Sequence, residues 1–75
     1  MKNYEIHAEW DTEAGVWIAT SEDVPGLCAQ ADTFDDLVDI VTGLVPDLLA
    51  LNHIPALLAV PIHITAERTV TVQAA

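Results

Sequence analysis

The chain of 75 residues has very few basic side chains. Only Lys2 and Arg68 oppose twelve Asp and Glu residues, which gives a formal net charge of −10. Affinity for nucleic acids depends mainly on Lys and Arg side chains that displace counterions from phosphates, so this composition argues against direct binding of DNA or RNA. It is compatible with a basic protein as a partner, because opposite electrostatic fields steer association. Acidity alone would also keep a small hydrophobic protein soluble.

Cysteine and long apolar runs are also scarce. Cys28 is the single cysteine, which excludes an internal disulfide, and no Cys/His spacing typical of a zinc site is present. We interpret Cys28 as a small buried apolar residue. Residues 1–5 lack the apolar run of a signal peptide. The longest apolar stretch, 54–62, is too short and too interrupted by proline to span a bilayer. We therefore expect a cytoplasmic protein without membrane contact.

The small size of the chain predicts self-association. One core fits in this length, so residues 1–75 are expected to form a single domain. A domain of this size buries only about 60% of the surface that its unfolded chain exposes. Small folds usually gain support from disulfides, a metal or oligomerisation. Since 52% of the residues are hydrophobic and a disulfide is excluded, we predict a homo-oligomer, with a dimer favoured.

Three strands are predicted in the first half of the chain. Apolar and polar residues alternate over 4–10, which is typical of a strand with one wet face. A hairpin loop at 11–15 leads to a return strand at 16–21. Residues 24–27, with Pro and Gly at the central positions, fit a type II turn. A short third strand is expected at 27–31.

One long amphipathic helix follows. Thr33 is the predicted N-cap, and apolar residues then recur at helical spacing as far as Leu51. Pro46 falls on the polar side, so we expect a bend or a restart there and not the end of the helix. Asn52 is the expected left-handed residue at the C-terminal end.

Alternating residues from Ile62 to Val72 predict a last strand, with Arg68 marking a bulge or bend. The order is therefore β-β-β-α-β. We predict an α+β fold of two layers, in which one long helix covers one face of a mostly antiparallel sheet.

The other face of the sheet has no second helix to cover it. We expect it to carry Glu5, His7, Glu9, Trp17, Ala19, His63, Thr65 and Thr69. Trp17 has the opposite parity to Val16 and Ile18, so it is expected on this open face, where an exposed tryptophan would suit an interface. Its alternative role is packing against the C-terminal segment. The residues predicted to bind a partner are Trp17, Glu5, His7, Glu9, Ile40, Ile54, Leu57 and Leu58.

Catalysis and metal binding are not expected. Glu5 and Glu9 are four residues apart, about 13 Å along a strand, which is too far to share one ion even if Glu67 joins them. His7 and His63 could bind Zn²⁺ or Ni²⁺ with a third ligand from Glu5, Glu9 or Thr65, but ordinary surface or interface histidines are favoured. We therefore predict no enzyme activity, no cofactor and no metal.

The hairpin and turn residues carry a resemblance to a known family. Residues 9–21, 23–27 and 31–33 resemble a group of short bacterial proteins catalogued only as a domain of unknown function and related to the HicB antitoxins. The HicB-like pattern covers about residues 4–52. It implies a partly reduced ribonuclease-H-like domain, which in HicB antitoxins binds a small basic ribonuclease toxin. Those antitoxins have a separate C-terminal DNA-binding module, and since only four residues follow Thr71 we expect no such module here.

The function predicted from the sequence is a non-enzymatic, self-associating interaction domain. It would act as an antitoxin-like binder of a small basic protein. The alternative is a stand-alone small domain that shares only the fold and has a ligand-binding or regulatory role.

Overall fold

A four-stranded sheet and one helix make up the structure. The computed structural model describes residues 3–54 and 60–74. In chain order the elements are β1 (Tyr4–Asp11), β2 (Val16–Thr20), β3 (Cys28–Ala31), α1 (Phe34–Leu51) and β4 (Ile62–Glu67). The strand order is β3-β2-β1-β4, with antiparallel β1–β2 and β2–β3 pairs and a parallel β1–β4 pair. The predicted α+β fold with a mostly antiparallel sheet is confirmed.

Two turns form at the predicted glycines. In the hairpin the N–H of Gly15 donates to the carbonyl of Asp11 at 2.8 Å, and Gly15 has φ 68°. In the second turn the N–H of Leu27 donates to the carbonyl of Val24 at 3.2 Å, and Gly26 has φ 84°. A positive φ at this third position is the requirement of a type II turn, and glycine meets it without steric cost.

The helix begins and continues as the sequence predicts. The Thr33 hydroxyl accepts the N–H of Asp36 at 3.1 Å, which satisfies one of the free donors at the helix start. The buried residues of the helix recur every four positions: Leu37, Val41, Val45 and Leu49. Pro46 lies inside the helix and does not end it.

The end of the helix differs from the prediction. Asn52 has φ −94°, and the left-handed residue is His53 at φ 56°. The Asn52 side chain is used instead as a cap, since its amide donates to the carbonyls of Leu48 at 2.8 Å and Pro25 at 3.1 Å. Asn52 therefore ties the C-terminal end of the helix to the Pro-Gly turn.

The core lies between α1 and the sheet. The helix approaches β2 and β3 most closely, where Ala19 and Ala29 are buried and their small side chains leave room for it. The buried residues are Ile6, Ala8, Ala19, Val24, Leu27, Ala29, Leu37, Val41, Val45 and Leu49. Within the described ranges no helix is both long and apolar enough to cross a bilayer.

The last strand is shorter than the alternating pattern predicts. β4 ends at Glu67, and residues 68–74 have no regular secondary structure, although the alternation continues to Val72. The prediction was wrong because alternation shows only that a segment suits a sheet. A strand also needs a neighbouring strand with which to form backbone hydrogen bonds. β1 pairs with residues 62–67 only.

Candidate functional site

The pairing of β1 with β2 decides which face each side chain joins. Ala8 lies opposite Ala19, and Trp10 lies opposite Trp17. Since paired residues of neighbouring strands point to the same side of a sheet, Trp17 and Ala19 lie on the helix-covered face. The predicted position of both residues on the open face is wrong. Apolar residues occupy both the odd-numbered and the even-numbered positions of β2. Alternation alone therefore did not distinguish the covered face from the open face.

Trp17 belongs to a row of stacked groups at one end of the covered face. The Trp10 and Trp17 ring centroids are 5.5 Å apart at an interplanar angle of 66°, and the Trp17 and Phe34 centroids are 5.5 Å apart at 67°. These are edge-to-face contacts of the kind aromatic pairs prefer. The guanidinium of Arg68 lies 4.3 Å from the Trp10 ring centroid, a cation–π contact. The row joins the end of β4 to β1, β2 and the start of α1.

This aromatic row was not anticipated, although the sequence contains a signal for it. Trp10 and Trp17 lie at equal distances from the hairpin loop, one residue outside the Asp11–Val16 pair that closes it. Equal spacing from a tight loop predicts a directly opposed pair. Counting outward from the loop would have placed both tryptophans on one face.

The open face of the sheet is predominantly polar. By register it carries residues from all four strands: Glu5, His7, Glu9, Asp11, Val16, Ile18, Thr20, Cys28, Gln30, His63, Thr65 and Glu67. The expected positions of Glu5, His7, Glu9, His63 and Thr65 are confirmed. Cys28 is exposed on this face, so its interpretation as a buried residue is wrong. Leu27, its neighbour in the chain, is the buried one.

Two shallow depressions lie side by side on the open face and share His7 and Thr20. Carboxylates line both of them. Glu5, Glu22 and Asp23 line the first, and Glu9, Asp11 and Glu13 line the second. Half of the acidic residues of the chain therefore surround one continuous concave surface, which we call the acidic face.

Three of these carboxylates have structural roles. Asp23 Oδ2 accepts the N–H of Glu5 at 2.8 Å, and Asp11 Oδ1 accepts the N–H groups of Glu13 and Ala14 in the hairpin loop. Glu5 Oε2 lies 2.8 Å from Nδ1 of His63. The first two side chains hold the loops that border the acidic face, and the third links β1 to β4.

The other three carboxylates of the acidic face have no such contact. Glu9, Glu13 and Glu22, together with Glu67 next to Glu9 in the sheet, make no ion pair with any residue that the structure describes. Of the two basic residues, Lys2 lies outside the described ranges, and Arg68 stacks on Trp10 at the opposite side of the sheet. No Lys or Arg within 3–54 and 60–74 therefore neutralises the acidic face.

The open face does not assemble a metal site from the described residues. Glu9 is in register with Glu67, and His7 is in register with Thr65, while Glu5 already contacts His63. Nowhere within 3–54 and 60–74 do three His, Cys, Asp or Glu side chains converge as metal ligands. Each of these pairs of neighbouring side chains supplies fewer ligand atoms than a zinc or magnesium site requires.

The other residues predicted to bind a partner lie elsewhere. Ile40 is 40% exposed on the helix, and Ile54 is half-buried and packs against the core. Leu57 and Leu58 lie outside the described residues. Of the eight predicted residues, the structure brings Glu5, His7 and Glu9 together on one surface.

Comparisons with known proteins agree with this fold. The sequence matches the family described as domain of unknown function DUF1902 over residues 3–74. The chain belongs to that family. It is also similar to the crystal structure of the hypothetical protein TTHA1013 from the extremely thermophilic bacterium Thermus thermophilus. The two are 37% identical, with a TM-score of 0.73 over 97% of this chain and 100% of that one. None of the curated proteins compared with the sequence matches it.

Proposed function

We propose that this protein is a non-enzymatic interaction domain whose acidic face binds a small basic protein. The observation that carries the proposal is the concave surface around His7 and Thr20, which is lined by six carboxylates, three of which (Glu9, Glu13 and Glu22) make no ion pair with a described residue. Such a surface raises the association rate with a positively charged protein and disfavours acidic competitors. The resemblance of residues 9–21, 23–27 and 31–33 to a group related to the HicB antitoxins supports the same class of partner, so we describe the role as antitoxin-like.

The mixed character of the acidic face suits a protein partner. Val16 and Ile18 are half-buried between the carboxylates and present apolar surface on the same side of the sheet. Stable interfaces combine an apolar centre with a charged, hydrated rim. A partner that covers these two side chains would gain apolar burial, while its Lys and Arg side chains reach Glu9, Glu13 and Glu67.

Self-association is the second part of the proposal. The chain is small, rich in hydrophobic residues and without a disulfide, and each of these features favours gaining stability from a second copy. The acidic face is a poor surface for contact between two identical copies, because like charges would meet across it. We therefore assign the acidic face to the foreign partner and self-association to another part of the molecule.

The proposal is tested by co-expressing the protein with a small basic protein encoded next to it and measuring complex formation by co-purification and calorimetry. We expect a 1:1 ratio of chains and binding that weakens as salt rises, since salt screens exposed charges. Replacing Glu9 and Glu13, two carboxylates of the acidic face, by Gln should weaken binding. Replacing Asp39 and Asp47 by Asn removes the same charge from exposed positions on the helix and should have little effect.

Two outcomes would contradict the proposal. Equal weakening by both pairs of substitutions would show that only net charge matters and that the acidic face is not the binding surface. No binding to any neighbour-encoded basic protein would favour the stand-alone role with a small ligand.

A further inference from the structure

The C-terminal segment after β4 is unusually exposed for its composition. Residues 68–74, here called the tail, contain no turn, bend or backbone hydrogen bond to any described residue. Val70 is 65% exposed and Val72 is 82% exposed. A β-branched apolar side chain left in water at two alternate positions is typical of a strand that lacks its neighbour.

The tail continues the alternation of β4. Ile62, Ile64 and Ala66 point to the helix-covered side of the sheet, since they pair with Tyr4, Ile6 and Ala8 of β1. Arg68 has the same parity and contacts Trp10 on that side. Val70, Val72 and Ala74 carry this parity onward, whereas Thr69, Thr71 and Gln73 continue the polar side.

The overall dimensions of the molecule exceed those of a compact fold. The molecule extends 54 × 23 × 18 Å, and its radius of gyration is 14.2 Å. A compact domain of this length has a radius of gyration of about 11 Å. The solvent-accessible surface is 5443 Å². A compact monomer of the same mass presents about 4,500 Å².

The difference between these two accessible surfaces is similar to the area that one partner buries in a protein interface. The difference is roughly 900 Å², and a standard interface removes about 800 Å² from each partner. The surface of this chain therefore fits a molecule that buries one further interface of ordinary size.

The outer edge of β4 is the surface that matches the tail. β4 ends the sheet on one side, and β3, at the other edge, is only four residues long. Proteins protect exposed edges with short strands, charged side chains or proline. β4 has six residues, one charged side chain and no proline. Ile62 and Ile64 on its inner side are only partly buried, because α1 lies over β2 and β3.

We propose that the tail of one copy adds to the outer edge of β4 in a second copy as an antiparallel strand, and that the exchange is reciprocal. The proposal rests on the self-association proposed above and names the segment responsible for it. Residues 69–74 are enough to pair with the whole of 62–67. In that register Val72 lies opposite Ile64, Val70 opposite Ala66, and Thr71 opposite Thr65.

The register matches apolar with apolar and polar with polar residues. Any antiparallel register shifted by one residue would place Val70 and Val72 among the polar side chains of the open face. Pairing also satisfies the backbone groups of both edges, as in other cases of strand addition. Because each copy gives a tail and receives one, the contact has the two-fold symmetry of a closed dimer.

The tail cannot reach the outer edge of its own β4 in this structure. It follows β4 directly, without the loop of two or more residues that a hairpin requires. The contact between Arg68 and Trp10 holds the first residue of the tail in line with β4. Each tail is therefore directed to another molecule, and a second copy offers the edge whose side chains match it.

Solution mass tests the proposal with two matched double variants. The unmodified protein should be a dimer by light scattering and sedimentation. Replacing Val70 and Val72 by Asn should weaken the dimer about tenfold or more, since the apolar side of the added strand is lost. Replacing Thr69 and Thr71 by Asn changes the same segment on its polar side and should leave the dimer within about twofold. All four positions are exposed within one chain, so each variant should fold.

Cysteine cross-linking tests the register. In a Cys28→Ser background, Ile64→Cys with Val72→Cys should give a covalent dimer under mild oxidation, because directly opposed residues lie about 4.5–5.5 Å apart and a disulfide spans that distance. Within one extended chain the two positions are about 26 Å apart. Ile64→Cys with Gln73→Cys places the second thiol on the opposite side of the strand and should not cross-link.

The outcomes separate this inference from the proposed function. A monomeric unmodified protein would overturn both self-association and strand exchange. A dimer that tolerates Asn at Val70 and Val72, or that forms no disulfide between positions 64 and 72, would overturn strand exchange and leave self-association standing. If the Val70 and Val72 variant still forms the dimer but no longer binds the basic partner, the tail binds that partner and not a second copy.

Discussion

The two faces of the sheet differ in how their side chains are used. On the covered face, small residues and the aromatic row fill the space against the helix, and no polar side-chain atom buried within the described residues lacks a hydrogen bond. On the open face, four carboxylates make no ion pair with a described residue and two apolar side chains are only half-buried. The same strands thus have one face that packs against the helix over β2 and β3 and another that α1 does not cover.

This difference indicates where stability and binding reside. Substitutions on the covered face change packing and should lower the free energy of unfolding. Substitutions of open-face carboxylates that make no ion pair with a described residue, such as Glu9, should change the proposed binding and leave the free energy of unfolding nearly unchanged. Glu5, Asp11 and Asp23, by contrast, also hold the fold. The predictions below separate the two faces, and each is measured at one fixed protein concentration because self-association raises apparent stability.

The largest effect is expected in the core between the helix and the sheet. Leu37 is fully buried there, so Leu37→Ala should lower the free energy of unfolding by about 3 kcal/mol. That is a large share of the roughly 4–11 kcal/mol available to a chain of this length. Urea denaturation measures it. Leu51→Ala is the control, since Leu51 is 74% exposed on the same helix and should change stability by less than about 0.5 kcal/mol. Similar losses in both variants would show that helix propensity and not core packing is responsible.

Trp17→Ala should have the next largest effect. The substitution removes two edge-to-face contacts at the start of the helix, and we expect a loss of about 2–3 kcal/mol because the ring is only partly buried. Binding of a basic partner should persist in the folded protein. Ile18 is the next residue along β2 and lies on the opposite face of the sheet. Ile18→Ala should lower the free energy of unfolding by less than Trp17→Ala does, and it should weaken binding of the basic partner. Loss of binding in Trp17→Ala without loss of stability would show that Trp17 contacts the partner.

Thr33→Ala should cost about 1 kcal/mol. The hydroxyl of Thr33 accepts the N–H of Asp36, and alanine leaves that donor without its protein acceptor. Thr33→Ser retains the hydroxyl and should have nearly the original stability. Thermal unfolding followed by circular dichroism distinguishes the variants. Equal loss in both would indicate that the threonine methyl group and not the cap is important.

The smallest effect on stability is expected for Glu9→Gln. Glu9 is exposed, makes no ion pair with a described residue and lies beside Glu67, so the free energy of unfolding should change by less than about 0.5 kcal/mol. Binding to a basic protein should nevertheless weaken, with a smaller dependence on salt. A stability loss above about 1 kcal/mol, measured by urea denaturation, would show that Glu9 supports the fold.

Local chemistry allowed much of this fold to be predicted. Glycine at positive φ, proline in a type II turn and threonine at a helix start are requirements of single turns, so 15, 26 and 33 were correctly assigned from neighbouring residues alone. The helix of 18 residues follows from an apolar spacing that no other regular structure shares. In β1 the polar residues occupy every second position. This alternation correctly placed Glu5, His7 and Glu9 on the open face.

The errors occurred where a residue's place depends on a distant strand. Both parities of β2 are apolar, so only its register with β1 placed Trp17 against Phe34 and left Ile18 on the open face. Cys28, interpreted as buried, is exposed for the same reason. The acidic face likewise required the fold, because its carboxylates come from β1, from the hairpin loop and from the segment before the Pro-Gly turn.

By itself, the sequence determined the order of elements, the turns that join them and the strongly acidic charge, because each depends on residues close together in the chain. Only the tertiary structure decided which side of β2 is buried, which carboxylates share a surface and where β4 stops. Those properties depend on strand register and on the presence of a pairing neighbour, and neither is encoded in local alternation. The tail shows the difference most clearly, since its sequence suits a strand and no described residue of its own chain pairs with it.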